Sequence, residues 1–171
     1  NLSFVDPDDP SRPMNYRPPA YPLFVGFFMI AAGSLFPLVV VLVQLLLHFV
    51  TAFVTARIVE NVEPDMGVVA FSLMLFNPNS FATAFFIQSE TLNTFFLALV
   101  ILGLVLFSKQ DSIYLGGLIG FMVGLTALTR TEGQFLIILV PLLILIITAF
   151  CQTRMGWRGG TKSSLFCLVL S

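Results

Sequence analysis

Charged residues are scarce in this chain. Only 10% of its 171 residues are Asp, Glu, Lys or Arg, while 57% are apolar. Soluble domains carry about 25% charged and about 45–50% apolar residues. A water-soluble fold of this composition would expose large apolar patches, so lipid must be the solvent for much of the chain. The net charge of −1 also gives no reason to expect a nucleic-acid partner.

Histidine and cysteine are nearly missing as well. His48 is the only histidine and lies inside an apolar run, while Cys151 and Cys167 lie in or near apolar segments without metal-ligand spacing. The sequence therefore argues against a Ser-His-Asp catalytic triad and against a His-rich metal site. The sequence also lacks the P-loop, GxGxxG, HExxH and CxxC motifs, so no metal-binding residue is predicted.

Long apolar runs are what the chain does have. They predict an all-α fold, a polytopic transmembrane helical bundle with about five spans and a short interfacial helix over Tyr21–Gly33. The predicted spans are Leu35–Ala56, Gly67–Phe86 (broken at Asn77-Pro78-Asn79), Thr91–Phe107, Tyr114–Thr129 and Phe135–Phe150. A small-residue stripe at Gly116, Gly120 and Gly124 suits close packing against another helix.

Three regions follow from this pattern. Residues 1–20 form a Pro-rich loop, residues 21–150 form the transmembrane domain, and residues 151–171 hold a basic segment and the start of a further apolar helix. Because the first residue is not Met and the last apolar run is short, we expect the chain to be part of a longer protein.

Orientation follows from the basic residues, which favour the cytoplasmic side. Alternation of the spans places five of them on one side and three on the other. The larger group is Arg57, Lys109, Arg154, Arg158 and Lys162, and the smaller is Arg12, Arg17 and Arg130. The first side is therefore predicted to be cytoplasmic. Residues 1–20, 77–90 and 130–132 then share the extracytoplasmic side.

Charges at the ends of spans are the candidate site residues, because a charge beside hydrocarbon is costly. Glu90 opens a span, where it is either an interfacial acid favoured by the helix dipole or a carboxylate facing a cavity. Arg130 and Glu132 form either a local ion pair or a phosphate site, since guanidinium matches phosphate geometry. We predict that Arg17, Glu90 and Arg130 converge on one extracytoplasmic cavity.

The Pro-rich loop holds the other candidates. Two prolines follow Arg17 and would hold its guanidinium rigidly, although a solvated loop arginine is the alternative. Three acids, Asp6, Asp8 and Asp9, are either catalytic or metal-binding groups or simply part of a polar turn.

The order of the motifs resembles the GT-C superfamily of membrane glycosyltransferases, which use polyprenyl-phosphate sugars. The segments are YRPPAYPLFVGFF, then NPNSFATAFFIQSETLNTFF, then GGLIGFMVGLTALTRTEGQF. They are similar to the segments of the protein mannosyltransferase and GPI mannosyltransferase branches: a basic residue before Pro-Pro, an acid that opens a span, and an arginine after a glycine-rich span. The resemblance covers most of residues 16–147.

The resemblance implies roles for particular residues. Arg17 and Arg130, with Glu132 and Tyr21, would bind the lipid phosphate of a polyprenyl (dolichyl) phosphate sugar. Glu90 would be catalytic, while Asp8 and Asp9 stand where the family's catalytic acid is sought but lie too close to Arg17 to match well. The expected enzyme is a multi-pass mannosyltransferase-like protein of the endoplasmic reticulum or bacterial plasma membrane. A divalent metal is used by some members of the superfamily and not by others.

Two other classes stay open. The first is a non-catalytic GT-C-like subunit that contacts membrane lipid and other membrane subunits, which the poor match of the upstream acid favours. The second is a transporter module, which would normally place ionisable residues at mid-span. Here only Gln44 and His48 are polar deep inside a run, where interhelical hydrogen bonding is the simpler interpretation.

Overall fold

Helices make up the described part of the chain, in agreement with the all-α prediction. The computed structural model describes residues 18–109 and 113–143, and no strand occurs among them. The helices are α1 (Ala20–Ala32), α2 (Phe36–Glu60), α3 (Gly67–Leu75), α4 (Pro78–Phe85), α5 (Ser89–Lys109), α6 (Ile113–Thr129) and α7 (residues 134–143).

The chain turns back on itself between α1 and α2. The side chains of Tyr21 and Gln44, 23 positions apart, lie within hydrogen-bonding distance at 3.3 Å. In a straight helix these positions would be about 35 Å apart. The reversal occurs at Gly33, whose φ of 56° and ψ of −125° suit glycine alone among the residues. The two helices therefore form a hairpin, which we call the α1–α2 hairpin (residues 20–43).

A second break separates α3 from α4, which are bent by 50°. Pro78 has no N–H to continue a helix, and the Asn77 side chain accepts hydrogen bonds from the backbone N–H groups of Asn79 and Ser80, both at 3.1 Å. His48 Nε2 lies 3.1 Å from the carbonyl oxygen of Leu75. This carbonyl is at the end of α3, where backbone acceptors have no partner within the helix. The break is thus specified by capping groups on both of its sides.

Three antiparallel helices complete the bundle. Between α5 and α6, Gly103 lies beside Ile119 and Gly116 beside Phe107, while α7 runs back along α6 from Gly133. The packed centre consists of Val100, Ile119, Val123 and Val140. Because α5 and α6 are antiparallel, the first turn of α5 lies next to Arg130, the residue that follows α6.

The described residues contain fewer candidate spans than the five predicted. Two stretches, Ala20–Glu60 and Ser89–Phe107, are long and apolar enough to cross a membrane, and the bent pair α3–α4 would make a third. Because the first stretch reverses at Gly33, its spanning part is α2, which has 25 residues. The helices Tyr114–Thr129 and Thr131–Leu143 are shorter. A helix of about 16 residues covers about 24 Å, less than the ~30 Å hydrocarbon core. Residues 144–150 of the fifth predicted span lie outside the described residues.

Charges occupy the two ends of the bundle. At one end Arg57 pairs with Glu60 at 3.1 Å, and at the other Arg130 pairs with Glu90 at 3.0 Å. Gln44 lies at the level of the second pair, and the helical rise from Gln44 to Glu60 is about 24 Å. The α1–α2 hairpin continues beyond this level, since about eight residues of α2 precede Gln44, or about 12 Å.

Candidate functional site

Arg130 is the centre of a three-residue ionic cluster. Its Nη1 donates to Glu90 Oε1 at 3.0 Å, while Nε and Nη2 donate to the two carboxylate oxygens of Glu132 at 2.9 and 3.2 Å. Glu90 is 40 positions away along the chain, so this contact depends on the tertiary fold. The structure therefore brings together Glu90 and Arg130, as predicted, and it adds the local pair with Glu132 that was the alternative interpretation.

The local backbone conformation determines where each of these side chains lies. Glu90 lies in the first turn of α5, where the helix dipole favours a negative charge. Arg130 has an extended backbone (φ −144°, ψ 149°) between α6 and the 3₁₀ turn Thr131–Gly133. Its backbone N–H still bonds to the Thr126 carbonyl at 3.2 Å, and its own carbonyl accepts from Gly133 at 3.0 Å. The guanidinium is therefore held at the end of α6, facing α5.

Accessibility distinguishes the two carboxylates. The side chains of Arg130 and Glu90 are about one-third exposed, at 32% and 36%, whereas that of Glu132 is 65% exposed. Glu132 lies outside the candidate spans, and hydrogen bonds from its own backbone N–H and from Arg130 lower its pKa. With both carboxylates ionised the cluster carries a net charge of −1. A guanidinium has five N–H donors, so two remain beyond the three bonds described.

A polar network adjoins the ionic cluster. Gln44 Nε2 donates to the hydroxyl oxygen of Tyr21 at 3.3 Å and to the backbone carbonyl of Gln88 at 2.8 Å. Gln88 precedes Glu90 by two positions. Gln44 thus links Tyr21 on α1 and its own helix α2 to the segment that leads into α5.

The remaining predicted site residues fall outside the described residues. These are Arg17, Asp8 and Asp9. Glu90 and Arg130 are in contact, while a shared extracytoplasmic cavity that also includes Arg17 stays a prediction. Among residues 18–109 and 113–143 no group of three or more His, Cys, Asp or Glu side chains could hold a metal ion. The two carboxylates of the cluster both bind the guanidinium instead.

Sequence reasoning assigned Gln44 only to interhelical hydrogen bonding and did not place it in the site. The side chain is fully buried and bonds to two segments that enter the site. One signal could have found it: an amide in an otherwise apolar span must find partners, because burying an unbonded amide is costly. The identity of those partners depends on the reversal at Gly33, which the sequence did not predict.

Gly133 sets the position of the Arg130 turn, and we expect Gly133→Ala to destabilise the protein by about 1–3 kcal/mol. An added Cβ would collide with the Thr126 backbone carbonyl, so α6 and α7 must separate. Chemical unfolding in mixed micelles measures the change. Gly120→Ala is the matched control, because its Cβ meets nothing within 4 Å and should be neutral or stabilising. Equal effects of the two variants would contradict the close approach at Gly133.

The apolar helices and the charged cluster at one end of the bundle indicate an integral membrane protein. A family model described as dolichyl-phosphate-mannose-protein mannosyltransferase matches residues 16–170. The chain belongs to this family, which confirms the resemblance to membrane mannosyltransferases given by its motifs. Comparison with curated proteins and with solved structures finds no match.

Proposed function

We propose that this protein is a multi-pass membrane mannosyltransferase that moves mannose from dolichyl-phosphate mannose to an acceptor hydroxyl on the extracytoplasmic face. One observation carries the proposal: the Glu90–Arg130 pair lies beside an uncharged apolar hairpin that extends past it. The donor has the same two parts, an anionic phosphate and a long apolar chain. Family membership supports the choice of sugar and donor.

The α1–α2 hairpin supplies the apolar part of the proposed site. No charged residue occurs from Ala20 to Ala56, and large side chains on the hairpin are exposed, including Phe27 at 66% and Ile30 at 81%. Such a surface is favourable only against apolar material. A prenyl chain lying along the hairpin would bring its phosphate to the level of Gln44 and Arg130.

The chemistry then divides between the two members of the pair. Glu90 Oε2 makes no hydrogen bond among the described residues, so it is available as a general base for the proton of the acceptor hydroxyl. The acceptor oxygen attacks C1 of mannose as the bond from C1 to the phosphate oxygen breaks, and dolichyl phosphate leaves. Arg130 stabilises the negative charge that grows on that phosphate in the transition state.

Other residues have roles in this proposal that rest on the family resemblance. Arg17 and Tyr21 join Arg130 in binding the lipid phosphate, and Asp8 and Asp9 are the further candidate acids. The endoplasmic reticulum membrane, or the bacterial plasma membrane for an undecaprenyl donor, is the proposed location.

Glu132 accepts hydrogen bonds from Arg130 Nε and Nη2 with its two carboxylate oxygens. A phosphate would accept from the same pair of N–H groups, so Glu132 and a bound phosphate compete for them. Glu132 belongs to the phosphate site as the group that the donor displaces. We expect Glu132→Gln to tighten dolichyl phosphate binding about two- to fivefold, since an exposed ion pair is worth about 0.2–1 kcal/mol. A lipid-binding titration measures the change, with Glu60→Gln as control. Weaker binding by Glu132→Gln would contradict this role.

The test of the proposed function is a transfer assay. The protein is reconstituted in liposomes with radiolabelled dolichyl-phosphate mannose and a peptide that contains Ser and Thr. We expect label to enter the peptide and dolichyl phosphate to be released in equal amount. Labelled peptide at the level of protein-free liposomes, under conditions in which another mannosyltransferase transfers the sugar, would contradict the proposal.

A non-catalytic subunit is the second candidate, and one observation favours it. An added Cβ at Gly120 or Gly124 meets nothing within 4 Å, so this part of the small-residue stripe is not closely packed among the described residues. An open face of this kind suits a helix of another membrane subunit. A stable complex with a second membrane protein, together with the absence of transfer by the wild-type chain, would favour this function.

A further inference from the structure

Gln44 holds three segments together at the site end of the bundle. Its side chain is fully buried on α2, and its amide nitrogen donates to Tyr21 on α1 and to the Gln88 carbonyl before α5. The orientation of the amide is fixed, because the Gln88 carbonyl can only accept a hydrogen bond. One side chain therefore contacts both the helix that carries Tyr21 and the linker that leads to Glu90.

The oxygen of the same amide has no partner. Gln44 Oε1 is buried and accepts no hydrogen bond in the described part of the chain. Leaving a buried acceptor unbonded is unfavourable, and an apolar side chain of similar size would avoid that cost. Gln44 is thus a poor choice for stability alone, and its value lies in where it places its two partners. Because Oε1 is buried, the side chain cannot contact a ligand in this arrangement.

The two partners of Gln44 lie on different segments, one on α1 and one directly before α5. The hydroxyl oxygen of Tyr21 accepts from Gln44, which leaves its own O–H available as a donor. Gln88 fixes the entry into α5, and Glu90 lies in the first turn of that helix. A change in either contact would move the phenol or the carboxylate relative to Arg130.

We propose that Gln44 is a positioning residue, which fixes the Tyr21 hydroxyl relative to the Glu90 carboxylate, so that the phenol reaches the donor phosphate while the carboxylate reaches the acceptor hydroxyl. This rests on the proposed mannosyl transfer. Misplacing a reacting group by about 1 Å can cost up to about a hundredfold in rate, so a modest loosening has a measurable effect.

The first arm of the test uses Gln44→Met, which keeps the length and removes both hydrogen bonds. We expect kcat for mannosyl transfer to fall about tenfold, in line with the loss of about one net hydrogen bond in positioning. The melting temperature should stay close to that of wild type, because removal of the unbonded buried oxygen offsets the loss of the two hydrogen bonds. A fall in kcat that is matched by a lower melting temperature would overturn the proposal in favour of a structural role.

The second arm asks whether Gln44 acts through Tyr21. We expect Tyr21→Phe to lower kcat, and the double variant Gln44→Met/Tyr21→Phe to lose less than the product of the two single effects, because the two residues share one hydrogen bond. Gln44→Glu, whose protonated carboxyl group can donate one hydrogen bond, should recover part of the activity. Independent effects of the two single variants would overturn the link to Tyr21.

A third arm does not depend on activity. In Gln44→Met, hydrogen exchange of the backbone amides in residues 20–24 and 86–90 should become faster, while exchange at residues 57–63 stays unchanged. If the wild-type protein transfers no mannose, the proposed function fails, and this arm still decides whether Gln44 holds the two segments. Unchanged exchange in both segments would overturn the positioning role.

Discussion

Replacing Glu90 by glutamine is expected to lower kcat for mannosyl transfer by about 10²- to 10⁴-fold, with a smaller change in KM. The amide has the size of the carboxylate and can still accept a hydrogen bond from Arg130 Nη1, so the 3.0 Å contact can persist. It cannot take a proton from the acceptor hydroxyl. The variant therefore removes proton transfer and leaves most of the geometry in place. Initial rates over a range of donor concentrations measure the two parameters.

The structure supplies a matched control for this change. Glu60 also pairs with an arginine, at 3.1 Å, but at the opposite end of the bundle. Glu60→Gln should leave both kinetic parameters within about twofold of wild type, since an exposed pair contributes little. If Glu90→Gln also retains full activity, the base is another group, and the paired substitutions Asp8→Asn and Asp9→Asn become the decisive comparison.

Arg130→Lys is expected to lower kcat/KM by about a hundredfold. Lysine keeps the positive charge, but it loses the planar fork that bonds to Glu90 and to both oxygens of Glu132 at once. A single ammonium group cannot both hold the Glu90 carboxylate and follow the phosphate as its charge grows. The loss should appear mainly in kcat, because the interaction strengthens in the transition state.

Arg57→Lys is the corresponding control for Arg130→Lys. Arg57 pairs with Glu60 and lies over the Phe53 ring at 5.0 Å, so the substitution changes an ion pair and a cation–π contact away from the site. It should cost little stability and no activity. Activity that falls equally in both lysine variants would mean that arginine supports the bundle rather than the reaction.

Much of the helical pattern could be predicted from the sequence because lipid imposes simple rules. Apolar runs bounded by charges gave α2, α5 and α6, and the Asn77-Pro78 break is present because proline and an Asx cap act locally. The meeting of Glu90 and Arg130 followed from the alternation of α5 and α6. Local chemistry and helix direction were sufficient for each of these.

What the sequence left open depends on tertiary geometry. The sequence predicted a break at Gly33, between an interfacial helix and a span, but not the reversal that brings Tyr21 on α1 into contact with Gln44 on α2. Gln44 became part of the site only through that reversal. The described residues hold fewer candidate spans than predicted because α6 falls below the bilayer thickness, while the predicted fifth span continues into residues that the structure does not describe.

Binding of dolichyl phosphate, without sugar or acceptor, tests the central claim most directly: that Arg130, Glu90 and the α1–α2 hairpin form a lipid-phosphate site. Wild type, Arg130→Lys and Arg57→Lys are titrated in nanodiscs with labelled dolichyl phosphate, and unlabelled dolichol is the competitor. We predict saturable binding by wild type and Arg57→Lys, binding at least about tenfold weaker by Arg130→Lys, and only weak competition by dolichol, which has the apolar chain but no phosphate. Equal binding by all three proteins, or full competition by dolichol, would contradict the account, because the lipid chain alone would then determine binding.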